Sequence, residues 1–314
     1  MIKASKNDVP VLSVIVLNYN AGVYLEKCIS SIDSSVLTHD IEVIFADNAS
    51  TDTSFANCQK VKLTNTKIKY IFHKNTGNVG FSAGNNQGLA VTNPTSKYII
   101  FLNPDTAVET DTLQGMINYF ETHLKVNAAT CDVILAVTGK TQLECHRGFP
   151  TPWNTFWHFF GFGLPKLFPH SKIFNGYFLG HQDYSKLQPI ECCVGAFFMM
   201  KRTVGDKAGW WNEKYFMYGE DLDFCYKIKQ NGSQLYFIPD YKITHFQGIS
   251  SGIKKTKSAA SRETKVRSAI ATTNAMRIFY QENLINDYPP ILHPLIYLGI
   301  NFLQFYRVFK AKYL

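Results

Sequence analysis

Residues 11–22 read VLSVIVLNYNAG, and the way this stretch breaks decides the fold. Val11 to Leu17 is a nearly continuous apolar run of strand length, as expected of a strand buried on both faces. Asn18-Tyr19-Asn20-Ala21-Gly22 ends it, and Leu25, Cys28, Ile29 and Ile32 then follow at helical spacing. The same unit recurs outward along the chain. A strand over Ile41 to Ala46 stops at Asp47-Asn48-Ala49-Ser50, a helix is expected around 52–61, and a strand follows over Ile68 to Phe72. Residues 75–88, NTGNVGFSAGNNQG, read as a glycine- and asparagine-rich loop, after which a strand over Tyr98 to Leu102 runs into Asn103-Pro104-Asp105. This β-α-β alternation predicts an α/β fold, a mostly parallel sheet flanked by helices. Ligands of such sheets bind outside the carboxyl ends of the strands.

Tyr19, Asp47 and Asp105 each follow a different apolar strand, so neighbouring strands would gather them at one edge. Read singly, Asp47 is a helix cap and Asn103-Pro104-Asp105 a turn. Their joint placement at successive strand ends, with a glycine-rich segment between, points to a nucleotide crevice. No Gly-Lys-Ser/Thr follows the glycines, and no Gly-x-Gly-x-x-Gly follows the first strand. Both absences count against a P-loop enzyme and a dinucleotide oxidoreductase.

A second chemical centre is read from residues 209–232, GWWNEKYFMYGEDLDFCYKIKQNG. Leu222, Cys225 and Ile228 predict a short helix over Asp221 to Gln230, stopped by Asn231-Gly232. Acidic residues in a first helical turn complement the helix dipole, which accounts for one or two of Glu220, Asp221 and Asp223. Three, set beside Trp210, Trp211, Tyr215, Phe216 and Tyr218, exceed what a cap requires. An apolar wall and a neighbouring charge both raise a carboxylate's proton affinity, which is how a general base is tuned.

The chain has 314 residues, 46% of them hydrophobic and 18% charged, enough for one large domain with an appendage or two modest ones. A net charge of +8 favours anionic partners such as nucleotide phosphates or acidic headgroups. The basic residues are scattered apart from Lys254, Lys255 and Lys257, so no nucleic-acid partner is expected. The cysteines form no Cys-x-x-Cys, and the adjacent Cys192-Cys193 pair bridges only with strain. With a polar amino terminus and no signal peptide, this reads as a cytoplasmic protein with free thiols.

Several motifs fall into one ordered register: Ser13 to Asn20, Asp47 to Asp52, Asn78-Val79-Gly80-Phe81 with Gly84-Asn85-Asn86, and Leu102 to Asp105. Val194 to Phe197, Phe216 to Asp223 and Ile243-Thr244-His245 continue it. Over about residues 10–250 the chain resembles glycosyltransferase family 2, particularly the bacterial rhamnosyltransferase-like branch that builds surface polysaccharides. The resemblance implies a GT-A fold with a nucleotide half over about 1–125 and an acceptor half over about 126–250. A mobile loop and C-terminal helical tail would occupy 251–314. It implies that Tyr19 stacks on the nucleotide base and Asp47 hydrogen-bonds it, with Asn18, Asn48, Asn78, Gly80, Asn85 and Asn103 completing the nucleotide-sugar site. Asn103-Pro104-Asp105 stands at the family's Asp-x-Asp element, its first position here being Asn. Asp105 and His245 are then the metal ligands, Asp221 the catalytic base, and Glu220 its partner.

The implied reaction is inverting transfer from a nucleotide-sugar donor, dTDP-rhamnose favoured, to a growing surface-polysaccharide or lipid-linked glycan. A divalent cation, Mn²⁺ or Mg²⁺, suits a diphosphate leaving group, and a histidine ligand leans weakly towards Mn²⁺. Asn212 departs from the family pattern, which often has Asp there. The rival class is a non-catalytic nucleotide- or glycan-binding member of an assembly. Asn103 is its only encouragement, and intact Asp47, Asp105, Glu220-Asp221 and His245 oppose it.

Residues 147–180 carry many aromatics and little periodicity, and read as a looped excursion packing on the core or as an acceptor platform. Residues 249–261 read as a loop closing over the diphosphate with Lys254, Lys255 or Lys257, or as a solvated linker. A helix is expected over about 262–283. Beyond Pro289-Pro290 the tail is apolar, with a polar stripe at Asn301, Gln304, Arg307 and Lys310 that makes it a poor membrane span. Either it lies in the membrane interface, or it packs on the catalytic domain or a second copy of the chain. The first alternative brings the protein to the inner leaflet, where a polyprenyl-diphosphate-linked acceptor would reside.

Overall fold

The computed structural model describes residues 9–246 and 262–313. The basic loop expected over 249–261 therefore lies outside the described residues. Strand β1 (Leu12–Asn18) is buried at every position, as an unbroken apolar run requires when both sheet faces are covered. Helix α1 (Val23–Asp33) follows with Leu25, Cys28, Ile29 and Ile32 turned inward. Strand β2 (Ile41–Asp47) lies parallel to β1, with Asn18 opposite Asp47. Helix α2 (Ser54–Cys58) is shorter than the periodicity predicts. Its approach is pinned as a loop, because Asn20 Oδ1 accepts from the Thr51 and Asp52 backbone N–H groups at 2.7 and 3.1 Å. Strand β3 (Ile68–Lys74) runs parallel to β2.

The segment expected as a loop over 75–88 is helical from its sixth residue, forming α3 (Gly80–Ala90). Glycine and asparagine are poor helix formers in isolation. Here the glycines let the helix lie against the sheet: a Cβ on Gly84 would stand 2.8 Å from Leu17 Cδ1, and one on Gly88 2.8 Å from Ile15 Cγ2. Close packing overrides local propensity. Strand β4 (Tyr98–Leu102) then pairs with the free side of β1. The chain order β3-β2-β1-β4 thus reverses at β1, which puts the switch point where such sheets bind ligands at the carboxyl ends of β1 and β4.

The sheet continues through β5 (Thr106–Val108), α4 (Thr112–Thr122) and β6 (Ala128–Leu135). Next come α5 (Pro152–Phe160) and α6 (Leu164–Leu167), so the aromatic excursion is partly helical; Thr151 Oγ1 caps α5 by accepting from Asn154 N at 3.2 Å. Strands β7 (Gln188–Ile190) and β8 (Phe197–Lys201), helices α7 (Arg202–Ala208) and α8 (Glu220–Gln230), and strand β9 (Leu235–His245) complete the layer. The order is β3-β2-β1-β4-β8-β6-β9-β5, with β7 also on β9, and β8 runs antiparallel to both its neighbours. Strand β9 continues through Pro239 and Asp240. A register shift at Cys131/Asp132 bends it, so β7 pairs with its start and β5 with its end. His245 consequently closes the strand itself.

Helix α9 (Arg262–Phe279) runs into a wider π-helical turn, Tyr280–Leu284, and the chain ends in α10 (His293–Tyr313). Phe279, Tyr280 and Leu284 belong to the same buried core as the sheet. Part of the polar stripe of α10 meets α9, beside the buried Ile300 and Leu303: Arg277 donates to Asn301 Oδ1 at 2.6 Å and Gln304 Oε1 at 2.5 Å, and Arg307 donates to Thr272 at 3.1 Å. Among the described residues no helix is long and apolar enough to cross a membrane.

Gly80 joins the β1–β3 side of the sheet to the segment before α8. Its φ is +87°, a Cβ would lie 2.5 Å from the Phe216 carbonyl oxygen, and that oxygen accepts from Phe81 N at 2.7 Å. Gly80→Ala is expected to destabilise the fold by about 1–3 kcal/mol, read as a lower urea midpoint with an unchanged slope. A wild-type midpoint would mean that this junction carries no strain.

Candidate active site

At the carboxyl end of β1, Asn18 Nδ2 donates to Asp47 Oδ1 at 2.8 Å and to Ser50 Oγ at 2.9 Å. Asp47 Oδ2 also accepts from Ser50 N at 3.1 Å, so the carboxylate is fixed at the strand end. Asn48 Nδ2 donates to Asn78 Oδ1 and to the Gly80 carbonyl, both at 3.1 Å. Asn18, Asp47, Asn48, Asn78 and Gly80 therefore form one network across three strand ends, with half-buried Tyr19 next in sequence to Asn18. Asn85 stands apart from it, buried on α3 with its amide on the Phe81 carbonyl at 3.0 Å. Asn103 follows β4, half-buried, with its carbonyl accepting from Thr106 Oγ1 at 2.7 Å.

Asp105 is buried, and its Oδ1 lies 3.3 Å from His245 Nε2 without a hydrogen-bond partner. On the far side of the imidazole, Gln142 Oε1 sits 2.7 Å from Nδ1. An amide oxygen only accepts, so Nδ1 carries the proton and the Nε2 lone pair faces the carboxylate. With Nε2 free of a proton, the imidazole and the carboxylate present two donor atoms that fit a divalent cation. Among the described residues no cluster of three or more such ligands occurs, so a cation here would take its remaining ligands from phosphate oxygens or water.

The second centre is the amino-terminal turn of α8, where Glu220, Asp221 and Asp223 are all buried. Asp223 is structural: it accepts from Asn283 Nδ2 at 2.8 Å and pairs with Lys227 at 2.7 Å, holding α8 to the turn after α9. Asp221 Oδ2 accepts from Arg147 Nη2 at 3.2 Å, inside the fold. Burial raises the proton affinity of Asp221, and the Arg147 charge works against that rise. Glu220 has no such partner; burial, then the charge on Asp221, pushes it up to about 8, and its Oε2 takes no hydrogen bond. The two carboxyls thus differ: burial raises the proton affinity of both, but only Asp221 has a cation beside it to oppose the rise.

Both line a chamber of about 770 Å³ walled mainly by apolar side chains of α5, α9 and α10. Gln142 also lines it. One side chain therefore borders the chamber of Asp221 and orients the histidine facing Asp105. Arg147 and Gln142 escape sequence reading, because a lone arginine and a lone glutamine in irregular sequence carry no spacing signal. All seven cysteines are buried and unpaired, and the chamber uses none of them.

The mixed sheet, with a polar network at its switch point, has the GT-A fold of solved glycosyltransferases. The chain belongs to glycosyl transferase family 2, whose sequence profile matches residues 13–208. It is 24% identical over 221 residues to the low-salt glycan biosynthesis hexosyltransferase Agl10 of Haloferax volcanii, covering 70% of this chain and 62% of that one. The N-acetylglucosaminyl-diphospho-decaprenol L-rhamnosyltransferase of Mycobacterium tuberculosis is 22% identical over 246 residues, covering 77% and 78%. The fold matches the mannosyltransferase PcManGT from Pyrobaculum calidifontis, solved with GDP-Man and Mn²⁺, at a TM-score of 0.56 and 15% identity, over 97% of this chain and 74% of that one.

The Glu220 shift predicts a pH dependence of stability. The folded carboxyl binds its proton up to about 8 against an ordinary 4.5, so the folded state holds more protons than the unfolded one between those values. Stability contributed by this group is complete below the lower value and declines as pH rises through the upper. Glu220→Gln should flatten the fall in melting temperature between about pH 5 and about pH 8.5. A slope identical to wild type would mean that Glu220 titrates normally.

Proposed function

We propose that the protein is a metal-dependent, inverting glycosyltransferase that moves a sugar, with dTDP-rhamnose the favoured donor, onto a hydroxyl of a growing surface-polysaccharide or lipid-linked glycan. The observation that carries this reading is Gln142, which lines the chamber of Glu220 and Asp221 and also positions His245 against Asp105. Two acidic centres over a hundred residues apart thereby share one boundary. The names of the Haloferax and Mycobacterium relatives support hexosyl and L-rhamnosyl transfer, and the Mn²⁺ in the Pyrobaculum complex supports a divalent cation.

In this reading the half over about 1–125 binds the nucleotide. Tyr19 stacks on the base and Asp47 hydrogen-bonds it, with Asn18 and Asn48 fixing the strand ends and Asn78 and Gly80 closing the crevice. Asn85 supports that loop from within α3, and Asn103 leads the chain to Asp105. Asp105 and His245 hold Mn²⁺ or Mg²⁺, which when bound neutralises charge on the departing diphosphate. The half over about 126–250 receives the acceptor. Asp221 takes the proton from the attacking hydroxyl, and Arg147 keeps the carboxylate oriented and charged until it does. Glu220 stays protonated at neutral pH and donates to the acceptor or the sugar ring. Direct attack opposite the leaving group inverts the anomeric carbon.

The outer face of α10 carries Leu298, Phe302, Phe305, Phe309 and Tyr313, all exposed, with Lys310 and Lys312 in the last turn. Such a face suits peripheral contact with an anionic membrane surface, here the inner face of the plasma membrane.

Asp221→Asn should lower transfer on the order of 10²–10⁴-fold while leaving Mn²⁺-dependent donor binding unchanged by calorimetry. Asp105→Ala should weaken that binding. Nucleoside-diphosphate release at the wild-type rate by Asp221→Asn would remove the assigned base, and no release by the wild-type protein from any sugar nucleotide would favour a purely binding role. For the membrane contact, the double substitution Phe302→Glu with Phe305→Glu should reduce partition onto anionic liposomes roughly tenfold or more. Unchanged partition with loss of self-association would assign this face to a second copy of the chain.

A further inference from the structure

The chamber is larger and more apolar than a hydroxyl and its base require. Beyond Glu220, Asp221 and Arg147 its walls are Phe159, Phe160, Met276, Phe279, Ile300 and Leu303, contributed by α5, α9 and α10. Phe156, Leu292 and Leu295 line it and are also exposed, so its apolar lining reaches the surface between α5 and the start of α10. That surface is continuous with the exposed apolar stripe along α10.

Two further features distinguish it from a loosely packed core. Gly299 sits within α10 and lines the chamber, yet a Cβ there would meet no atom within 4 Å. Glycine weakens a helix interior, and nothing in the packing demands one here; its effect is to leave room. Arg307 also lines the chamber and is partly buried, its guanidinium 5.0 Å from the centre of the Phe159 ring. Its hydrogen bond is to Thr272 at 3.1 Å, and among the described residues no carboxylate lies within ion-pair distance of it. An apolar chamber that reaches the surface and has an unneutralised guanidinium on its lining is complementary to a hydrocarbon chain ending in a phosphate.

We propose that this chamber binds the isoprenyl chain of a lipid-linked acceptor, with Arg307 engaging its phosphate and the chain running out past Phe156, Leu292 and Leu295. The assignment rests on the glycosyl-transfer reading and specifies its acceptor: the sugar to be extended is presented to Asp221 because its lipid anchor is seated beside it. Volumes of this size and lining are typical of sites that enclose most of a ligand.

The test is direct binding of geranylgeranyl monophosphate to the full-length protein in non-ionic detergent, compared with geranylgeraniol and hexadecyl phosphate. Saturable binding is expected, at least tenfold tighter for the isoprenyl phosphate than for the alcohol. Arg307→Gln should erase that preference. Gly299→Trp should weaken binding tenfold or more by filling the slot, whereas Gly299→Ala should bind as wild type with an equal or higher melting temperature; Gly299→Leu takes the place of Gly299→Trp if the larger residue prevents folding. Absence of saturable binding, or unchanged affinity in a folded Gly299→Trp or Gly299→Leu protein, overturns the proposal. Equal affinity for hexadecyl phosphate overturns the isoprenoid assignment. Sugar-nucleotide hydrolysis, followed on the same proteins without acceptor, separates the two readings. Its absence beside intact lipid binding sinks the transferase reading alone, and its presence without lipid binding sinks the chamber proposal alone.

Discussion

A carboxylate buried in an apolar chamber keeps its charge only if a cation is buried with it. The pair of Arg147 and Asp221, 3.2 Å apart, meets that condition, and much of the surrounding structure follows from it. Removing both ions from water is unfavourable, and their mutual attraction repays this only where further hydrogen bonds complete the geometry. Arg147 comes from the irregular chain after β6, whose backbone is tied to Cys192 through hydrogen bonds of 3.2 and 3.0 Å. Asp221 comes from the first turn of α8, where the Leu222 N–H bonds its Oδ1 at 2.8 Å. Each half of the pair is thus held by backbone before the two meet. Glu220, one residue away and without a cation, shows the alternative outcome, a carboxyl that retains its proton.

Gln142 extends the same logic to the other acidic centre. Its oxygen fixes the proton on His245 Nδ1, which turns the Nε2 lone pair towards Asp105. His245 is placed by the far end of β9, whose bend lets one strand serve both β7 and β5. Asp105 arrives from the turn after β4, and its carbonyl accepts from Phe246 N at 2.9 Å. In the proposed reaction one centre must face the departing diphosphate and the other the incoming hydroxyl. A side chain shared between their boundaries keeps the two at a fixed separation, which positioned catalysis requires.

The parts of this arrangement that were legible in the sequence are those with a period or a motif. The unbroken apolar run at β1 and its repeats gave the parallel half of the sheet, and Glu220-Asp221 stood out because three carboxylates beside five aromatics exceed a helix cap. Helix α3 was misread because its glycines serve contact with Leu17 and Ile15, a tertiary demand that local propensity does not register. The length of β9 was hidden by Pro239 and Asp240 at its bend, residues that normally end a strand. Arg147 and Gln142 left no signal, since each acts through one partner brought near only by the fold.

Helix α10 marks a different limit, between the period of a pattern and its direction. Asn301, Gln304 and Arg307 define one face correctly, but periodicity cannot say whether that face meets water or protein. The structure settles it through Arg277, whose guanidinium needs acceptors and finds them on Asn301 and Gln304. Those bonds turn Gln304 towards α9 beside the buried Ile300 and Leu303, while Leu298, Phe302, Phe305 and Phe309 face outward. A helix with apolar residues on both sides buries only one set of them in its own core. Its outer surface is complete only against something equally apolar, which is the condition a lipid-facing acceptor site would impose.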